Sequence, residues 1–152
     1  MDNNDILRRL RYTLNLNDAR MVLLFELGGQ AVSKEAVNNW LKKTDDPAFQ
    51  VLPDTQLAIF LNGLITEKRG KKEGAQPAPE TELNNNIILR KLKIAFDLKT
   101  EDIMALFRLI DKHISAHELT AFLRNPKQRQ YRPCEDQYLR NFLSGLQKKL
   151  RP

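Results

Sequence analysis

The 152-residue chain has one cysteine, few aromatic residues and no long apolar run. A single cysteine, Cys134, excludes a scaffold held together by disulfide bonds. No stretch approaches the roughly 18 consecutive apolar residues that a membrane-spanning helix requires. The amino-terminal residues also lack the basic start and apolar centre of a signal peptide. These absences predict a cytoplasmic protein with no membrane partner.

The sequence also lacks a recognisable catalytic or metal-binding constellation. The only histidines, His113 and His117, are four residues apart, but Ser115 between them has the pattern of a helix cap. His113 is therefore expected in a turn, which argues against a shared metal. Cys134 has no histidine or cation pattern around it and is expected to be a buried thiol. A glycine-rich phosphate loop is absent too, so we predict a non-enzymatic protein with no catalytic residues, metal or cofactor.

An internal repeat is the most informative feature of the sequence. Residues 3–70 align with residues 85–152 without a gap, and 19 of the 68 aligned pairs are identical. Because chance would match only a few positions, the two segments are predicted to share one fold. We therefore divide the chain into repeat 1 (residues 1–70), a linker (71–84) and repeat 2 (85–152). The linker contains two prolines and charges of both signs, which predicts a flexible or partly extended spacer.

Each repeat is predicted to contain four helices. Apolar residues recur at helical spacing, whereas the alternation typical of strands is almost absent. The predicted helices are 4–14, 18–27, 33–43 and 54–69 in repeat 1, and 86–96, 100–109, 115–124 and 136–149 in repeat 2. A unit of this size is marginally stable alone, so we expect the repeats to pack together; independent domains are the alternative. The fold class is all-α, with two tandem four-helix repeats related by pseudo-twofold symmetry.

Identical polar residues lie at the expected starts of two helices in each repeat. Asn3-Asn4 and Asn85-Asn86 precede the first helices and are expected to cap them. Asp54 and Asp136 begin the fourth helices, where a capping carboxylate would explain them. These pairs therefore predict structural roles rather than chemistry.

Two further identical pairs lie inside helices. Gly63 and Gly145 occupy the fourth helices, where glycine costs about 1 kcal/mol relative to alanine. A close helix crossing that admits no side chain would compensate for that cost. Arg8 and Arg90 lie on the first helices, away from the apolar face. Their basic stripe is either a solvated surface or an anion-binding site.

Positive charge is concentrated in repeat 2. The net charge is +6, but residues 1–70 carry nine basic and nine acidic side chains, whereas residues 85–152 carry 14 basic and seven acidic ones. The sharpest difference is in the loop after the third helix, because residues 124–132 hold four cations, a tyrosine and no acid. Cations neutralise phosphates and a ring can stack on a base. The pattern predicts an RNA- or DNA-binding site formed by Arg90, Lys93, Arg124, Lys127, Arg129, Tyr131 and Arg132.

Other interpretations of the same residues remain open at this stage. The basic loop could be solvated or could bind an acidic protein, and Tyr131 aligns with Phe49, so its ring is expected first to anchor the loop. The second and third helices invite comparison with a helix-turn-helix, but residues 28–32 are longer than its usual turn. The main alternative function is a protein-interaction adaptor that presents apolar grooves to helices of a partner.

Three segments of the sequence resemble the YehS-like family of uncharacterised bacterial proteins. They are residues 60–70 (FLNGLITEKRG), 85–100 (NNIILRKLKIAFDLKT) and 137–146 (QYLRNFLSGL). The resemblance covers both repeats and the linker. It implies a small, duplicated cytoplasmic protein of gammaproteobacterial type. Because the function of that family is unknown, the resemblance implies no activity, cofactor or site residue.

Overall fold

Every regular element in the computed structural model is an α-helix across residues 1–71 and 77–152, which are the residues that the structure describes. Linker residues 72–76, for which the sequence predicts flexibility, lie outside the described residues. The helices are α1 (Asn3–Thr13), α2 (Asp18–Leu27), α3 (Lys34–Leu41), α4 (Asp54–Arg69), α5 (Asn85–Ala95), α6 (Thr100–Arg108), α7 (Ala116–Leu123) and α8 (Asp136–Leu150). In the described part of the chain, no helix combines the length and apolarity needed to cross a membrane. The all-α, duplicated four-helix prediction is confirmed.

Local sequence signals set several of the helix ends. The side chains of Ser33 and Ser115 accept hydrogen bonds from backbone N–H groups three residues further on, both at 3.0 Å. In turn, the N–H of Ser115 donates to Glu118 Oε1 at 3.0 Å, which completes the predicted capping box. As predicted, α2 ends at Leu27. Gly28 is its C-cap, and Gly29 follows with φ of 108°, a conformation that glycine adopts without strain.

The asparagines predicted to cap the first helices have a different role. Both helices begin one residue earlier than predicted, so the N-caps are Asp2 and Asn84. Asn4 is 1% exposed in the first turn of α1. Its Nδ2 donates to the carbonyl oxygens of Trp40 and Gln50, both at 2.9 Å. It thereby ties α1 to the end of α3 and to the following loop.

Repeat 2 contains the same buried amide contact. The Nδ2 of Asn86 donates to the carbonyl oxygens of Phe122 at 2.9 Å and Arg132 at 2.8 Å. Its Oδ1 accepts a hydrogen bond from the N–H of Cys134 at 2.9 Å, as Asn4 does from Leu52 at 3.0 Å. The identity of the two asparagines therefore reflects a buried contact within the fold rather than a cap.

The prediction that Asp54 and Asp136 cap the fourth helices is also wrong. The N-cap positions hold Pro53 and Glu135, and neither makes a side-chain capping bond. Asp54 and Asp136 lie one residue inside the helix, and each accepts a hydrogen bond at 2.7 Å from an asparagine of the first helix. The donors are Asn3 and Asn85. These carboxylates therefore hold the first helix of each repeat to the start of the fourth.

A glycine permits a close helix crossing in each repeat, as the sequence predicts. A Cβ at Gly63 would lie 2.7 Å from the carbonyl carbon of Leu24, which brings α4 directly onto the backbone of α2. A Cβ at Gly145 would lie 2.7 Å from the carbonyl carbon of Leu106, at the crossing of α8 and α6. Neither backbone has room for a methyl group.

The crossing is more extensive in repeat 1 than in repeat 2. Gly28 also lies directly against the carbonyl group of Ile59, so two glycines permit contact between α2 and α4. The position aligned with Gly28 in repeat 2 is Ile110. Consistent with this difference, α2 and α4 contact each other over a longer stretch than α6 and α8.

The two repeats pack against each other through equivalent helices. α4 packs between α2 and α5, and its residues 57–64 are all buried, whereas α1 packs on α8 in the reciprocal contact. Between α5 and α4, the Nζ of Lys91 donates to Asn62 Oδ1 at 2.6 Å. At the equivalent place between α1 and α8, the Nη2 of Arg9 donates to Ser144 Oγ at 2.8 Å. The reciprocal contacts correspond to the predicted pseudo-twofold arrangement.

The carboxyl-terminal part of the linker is attached to the folded repeats. The N–H of Leu83 donates to Asp54 Oδ2 at 2.8 Å, and the carboxylate of Glu80 lies 3.0 Å from the Nζ of Lys91. Leu83 is partly buried against the core. These contacts place residues 80–83 beside the junction of α4 and α5.

Candidate nucleic-acid interface

The loop at residues 124–132 of repeat 2, called the basic loop below, has a defined backbone. The side-chain Oδ1 and the carbonyl oxygen of Asn125 accept from the N–H groups of Lys127 and Gln128, each at 2.9 Å. At the other end, the N–H of Arg132 donates back to a carbonyl of α7 at 3.1 Å. The backbone is thus fixed at both ends, while the side chains of residues 127–130 are exposed.

Arg90 connects α5 to the basic loop. Its Nη2 donates to the carbonyl oxygens of Leu123 at 2.9 Å and Arg124 at 3.3 Å, where the carbonyl groups at the end of α7 need partners. Arg8 makes the equivalent bond at the end of α3, at 2.8 Å. The identical arginines are therefore helix-capping residues first. Lys93, three residues along α5 from Arg90, is half-buried.

The side chains of the basic loop differ in how strongly the protein holds them. Nη1 of Arg132 donates to the carbonyl oxygens of Tyr131 at 2.9 Å and Arg129 at 3.2 Å, so this side chain folds back on its own loop. Tyr131 is half-buried, in keeping with its alignment with a phenylalanine. The side chains of Lys127 and Arg129 are exposed. Arg124 is half-buried at the end of α7.

In the described part of the chain, Arg90 and Lys93 of repeat 2 lack the acidic partners that the aligned Arg8 and Arg11 have in repeat 1. Three arginines of repeat 1 form ion pairs with acids of the same repeat, namely Arg8–Asp5, Arg11–Asp18 and Arg20–Glu67. In repeat 2 the three aligned acid positions hold Ile87, Thr100 and Lys149. Among the described residues, Lys91 is consequently the only lysine or arginine of repeat 2 that forms an ion pair.

A second cationic surface joins the two repeats, and sequence reasoning missed it. Arg9 of α1 and Arg140 of α8 line a shallow cavity of about 380 Å³ together with Arg8, Asp5 and the Met1 residue. Burial, together with the nearby positive charge of Arg140, lowers the pKa of Arg9. These arginines are far apart in the sequence, and only the packing of α1 on α8 brings them together.

Tyr138 and Glu118 border a further cavity of about 460 Å³. Tyr138 Oη donates to Glu118 Oε2 at 2.5 Å. This bond, assisted by the N–H of Ser115, holds the pKa of Glu118 below its ordinary value, and the same bond raises the pKa of Tyr138. Glu118 belongs to the capping box, so the pair holds α7 to α8. Across residues 1–71 and 77–152, no group of histidine, cysteine, aspartate and glutamate side chains forms a metal site.

We expect Tyr138→Phe to destabilise the fold by about 1 kcal/mol at pH 7, because a hydrogen bond to a carboxylate is lost. The contribution of a carboxylate with a lowered pKa is present above its ordinary value of 4.5 and is lost as the pH falls through the lowered value. The difference from the wild type should therefore shrink at acid pH. Urea unfolding, monitored by circular dichroism at pH 7 and at acid pH, measures this difference in stability. Tyr12→Phe, at an exposed tyrosine, is the control, and a pH-independent difference contradicts the prediction.

Cys134 is a buried thiol, as the sequence predicts. Burial, with the nearby negative charges of Asp136 and Glu135, raises its pKa to about 12. A thiol with so high a pKa is almost fully protonated at neutral pH and is a poor nucleophile. The structure therefore gives Cys134 a packing role before α8.

Comparison with known proteins agrees with the internal repeat. A family model described as "Protein of unknown function (DUF1456)" matches residues 3–70 and again residues 85–151. The chain belongs to the DUF1456 family. It is also 49% identical over 148 residues to "Uncharacterized protein YehS" of Escherichia coli (strain K12). That alignment covers 96% of this chain and 94% of the relative. The resemblance inferred from the sequence is thereby confirmed, and no solved structure matches.

The two DUF1456 repeats share the residues that hold the fold and differ in those that carry charge. Asn4 and Asn86 make matching buried contacts, and Arg8 and Arg90 cap matching helices. By contrast, the aligned loop of repeat 1, residues 42–50, has two lysines balanced by two aspartates, whereas the basic loop of repeat 2 has four cations and no acid. The charge of that loop is therefore not required by the DUF1456 four-helix fold, since repeat 1 adopts the same loop backbone without it.

Proposed function

We propose that the chain is a non-enzymatic binding protein whose second repeat contacts the phosphate backbone of RNA or DNA. The observation that carries this proposal is the loss of acidic partners in repeat 2. Arg11 is paired with Asp18 at 3.1 Å, whereas Lys93, at the aligned position, has no acid within ion-pair distance in the part of the chain that the structure describes. Phosphate groups would supply the missing negative charge and release counterions on binding.

The arrangement of the basic loop supports sequence-independent contacts. Lys127 and Arg129 are exposed on a backbone held by its own turns, so they can reach phosphates without reorganising the fold. Arg90 links α5 to the end of α7, which supports one continuous basic face. Tyr131 is half-buried, which limits base stacking, and Glu118 on α7 would repel phosphates. We therefore expect backbone contacts to dominate over readout of bases.

Filter binding with labelled mixed-sequence RNA and DNA tests the proposal. Affinity should fall about tenfold or more between about 50 mM and about 200 mM salt, because each phosphate contact releases counterions. The double variant Lys127→Gln, Arg129→Gln should bind about tenfold more weakly at low salt, because it removes two phosphate contacts.

A matched control separates the basic loop from net charge. Lys42→Gln with Lys43→Gln removes the same charge from the aligned loop of repeat 1 and should leave affinity within about twofold. Equal effects of the two double variants, or affinity that does not respond to salt, would contradict the proposal. An acidic protein partner, the alternative interpretation, would instead remain bound after nuclease treatment at one copy per chain.

A further inference from the structure

A groove of about 630 Å³ runs between α4 and α5, on the side of the molecule where the two repeats meet. Its apolar lining includes Ile65 of α4 and Ile87 and Ile94 of α5. Ile94 is 44% exposed, so its apolar side chain is open to solvent at the groove. The volume lies within the range of small-molecule pockets and is small for the groove that holds a partner helix.

The pseudo-twofold axis predicts an equivalent groove between α1 and α8, but the residues at that place are polar. The residues aligned with the three isoleucines are Gln147, Asp5 and Tyr12. The guanidinium of Arg151 stacks on the ring of Tyr12 at 4.1 Å and donates to its carbonyl oxygen at 2.6 Å. The apolar lining of the α4–α5 groove is therefore not a requirement of helix packing between the repeats.

Cations surround the isoleucines of the α4–α5 groove. They are Arg69, Lys71, Arg90 and Lys91, and they come from α4, the residues after it, and α5. Among the described residues, the only acid in the lining is Glu80, whose carboxylate lies 3.0 Å from the Nζ of Lys91. Glu80 shows that the rim accepts a carboxylate. Arg69 is itself paired with Asp97 at 3.1 Å. Lys71 and Arg90 are the lining cations that have no acidic partner within residues 1–71 and 77–152, and they place positive charge beside an apolar surface.

We propose that the α4–α5 groove binds a small, water-soluble amphipathic anion, with a hydrocarbon body on the isoleucines and a carboxylate or phosphate head at the cationic rim. The apolar body gains by leaving water, and the head is held by Lys71 and Arg90, which line the groove. Such a ligand needs both parts, because phosphate alone leaves the isoleucines exposed and a neutral chain makes no ionic contact with Lys71 and Arg90. The groove shares Arg90 with the predicted nucleic-acid site and is lined by Pro126 of the basic loop, but binding of the anion does not require nucleic acid.

Titration of the full chain with octyl phosphate, followed by amide chemical shifts, tests this site. Octan-1-ol and inorganic phosphate are titrated separately, and each should bind about tenfold more weakly than octyl phosphate. The shifted amides should lie in α4 and α5. Equal affinities for octyl phosphate and octan-1-ol, or shifts that lie outside these helices, overturn the proposal. Sedimentation with phosphatidylglycerol vesicles that depends on Ile94 would also overturn it, in favour of a membrane surface.

Aligned positions provide the variants. Ile94→Glu places a negative charge in the groove and should weaken octyl phosphate binding about tenfold or more. Tyr12→Glu, at the aligned and 51% exposed position, should leave binding unchanged. Ile65→Gln, which installs the residue found at the aligned position of repeat 2, gives a second test should Ile94→Glu fail to fold. Wild-type binding by both groove variants would overturn the proposal, whereas the Lys127→Gln, Arg129→Gln variant should bind octyl phosphate normally.

Discussion

Gly63→Ala is expected to destabilise the chain by about 3 kcal/mol, because a methyl group has no room against the backbone of α2. The new Cβ would overlap the carbonyl group of Leu24, with the carbonyl carbon only 2.7 Å away. The obstacle is backbone rather than a flexible side chain, so α2 and α4 must separate. At a solvent-exposed position inside a helix, replacing glycine by alanine would instead stabilise the protein by about 1 kcal/mol. The sign of the effect is therefore diagnostic of the crossing.

Chemical unfolding monitored by circular dichroism measures this effect as a lower denaturation midpoint. Thr66→Ala, three residues along the same helix and half-buried, is the control and should change stability by about 0.5 kcal/mol or less. Gly145→Ala should also destabilise, since its Cβ would meet Leu106 at the matching crossing. A Gly63→Ala chain as stable as the wild type would show that the crossing is looser than described.

Helix positions could be predicted from the sequence because two independent signals agree. Apolar periodicity marks the buried face of each helix, and the gapless alignment of the repeats tests each boundary twice. The predicted 18–27 and 54–69 match α2 and α4. Glycine at the same position of both fourth helices indicated the crossing, because its cost in a helix requires compensation.

The helix caps show where local reasoning fails. Asn84, Asn85 and Asn86 are consecutive, and each is chemically able to cap a helix, so the sequence does not say which one does. Asn84 takes the cap, while Asn86 turns inward to carbonyl groups that lie 36 and 46 residues away along the chain. Those partners depend on how α5, α7 and the basic loop pack, which no local pattern encodes.

The candidate sites likewise differ in whether the sequence alone could predict them. The basic loop could be predicted because its cations are contiguous in the sequence. The α4–α5 groove and the cavity lined by Arg9 and Arg140 could not, because each combines residues of both repeats. Their geometry depends on the docking of the repeats. The alignment of the repeats does contain one signal of the groove, since Ile65 and Ile94 align with the polar residues Gln147 and Tyr12.

Asn86→Ala is expected to destabilise the chain by about 3 kcal/mol, because three buried polar groups lose their partners at once. The carbonyl oxygens of Phe122 and Arg132 and the N–H of Cys134 all bond to this 4% exposed side chain. Alanine supplies no replacement, and water has little access. The loss should also loosen the carboxyl end of the basic loop, since Arg132 is held there by Asn86.

Asn85→Ala is the matched control for this prediction. Its Nδ2 bonds to Cys134 at 2.9 Å and Asp136 at 2.7 Å near the surface, where water can take over, so a cost of about 1 kcal/mol is expected. Chemical unfolding gives both free energies, and hydrogen exchange at the Cys134 amide reports the local opening. If Asn86→Ala costs no more than Asn85→Ala, the buried amide does not hold the repeat together. The same comparison with Asn4 and Asn3 should give the same order in repeat 1, because the aligned bonds are the same.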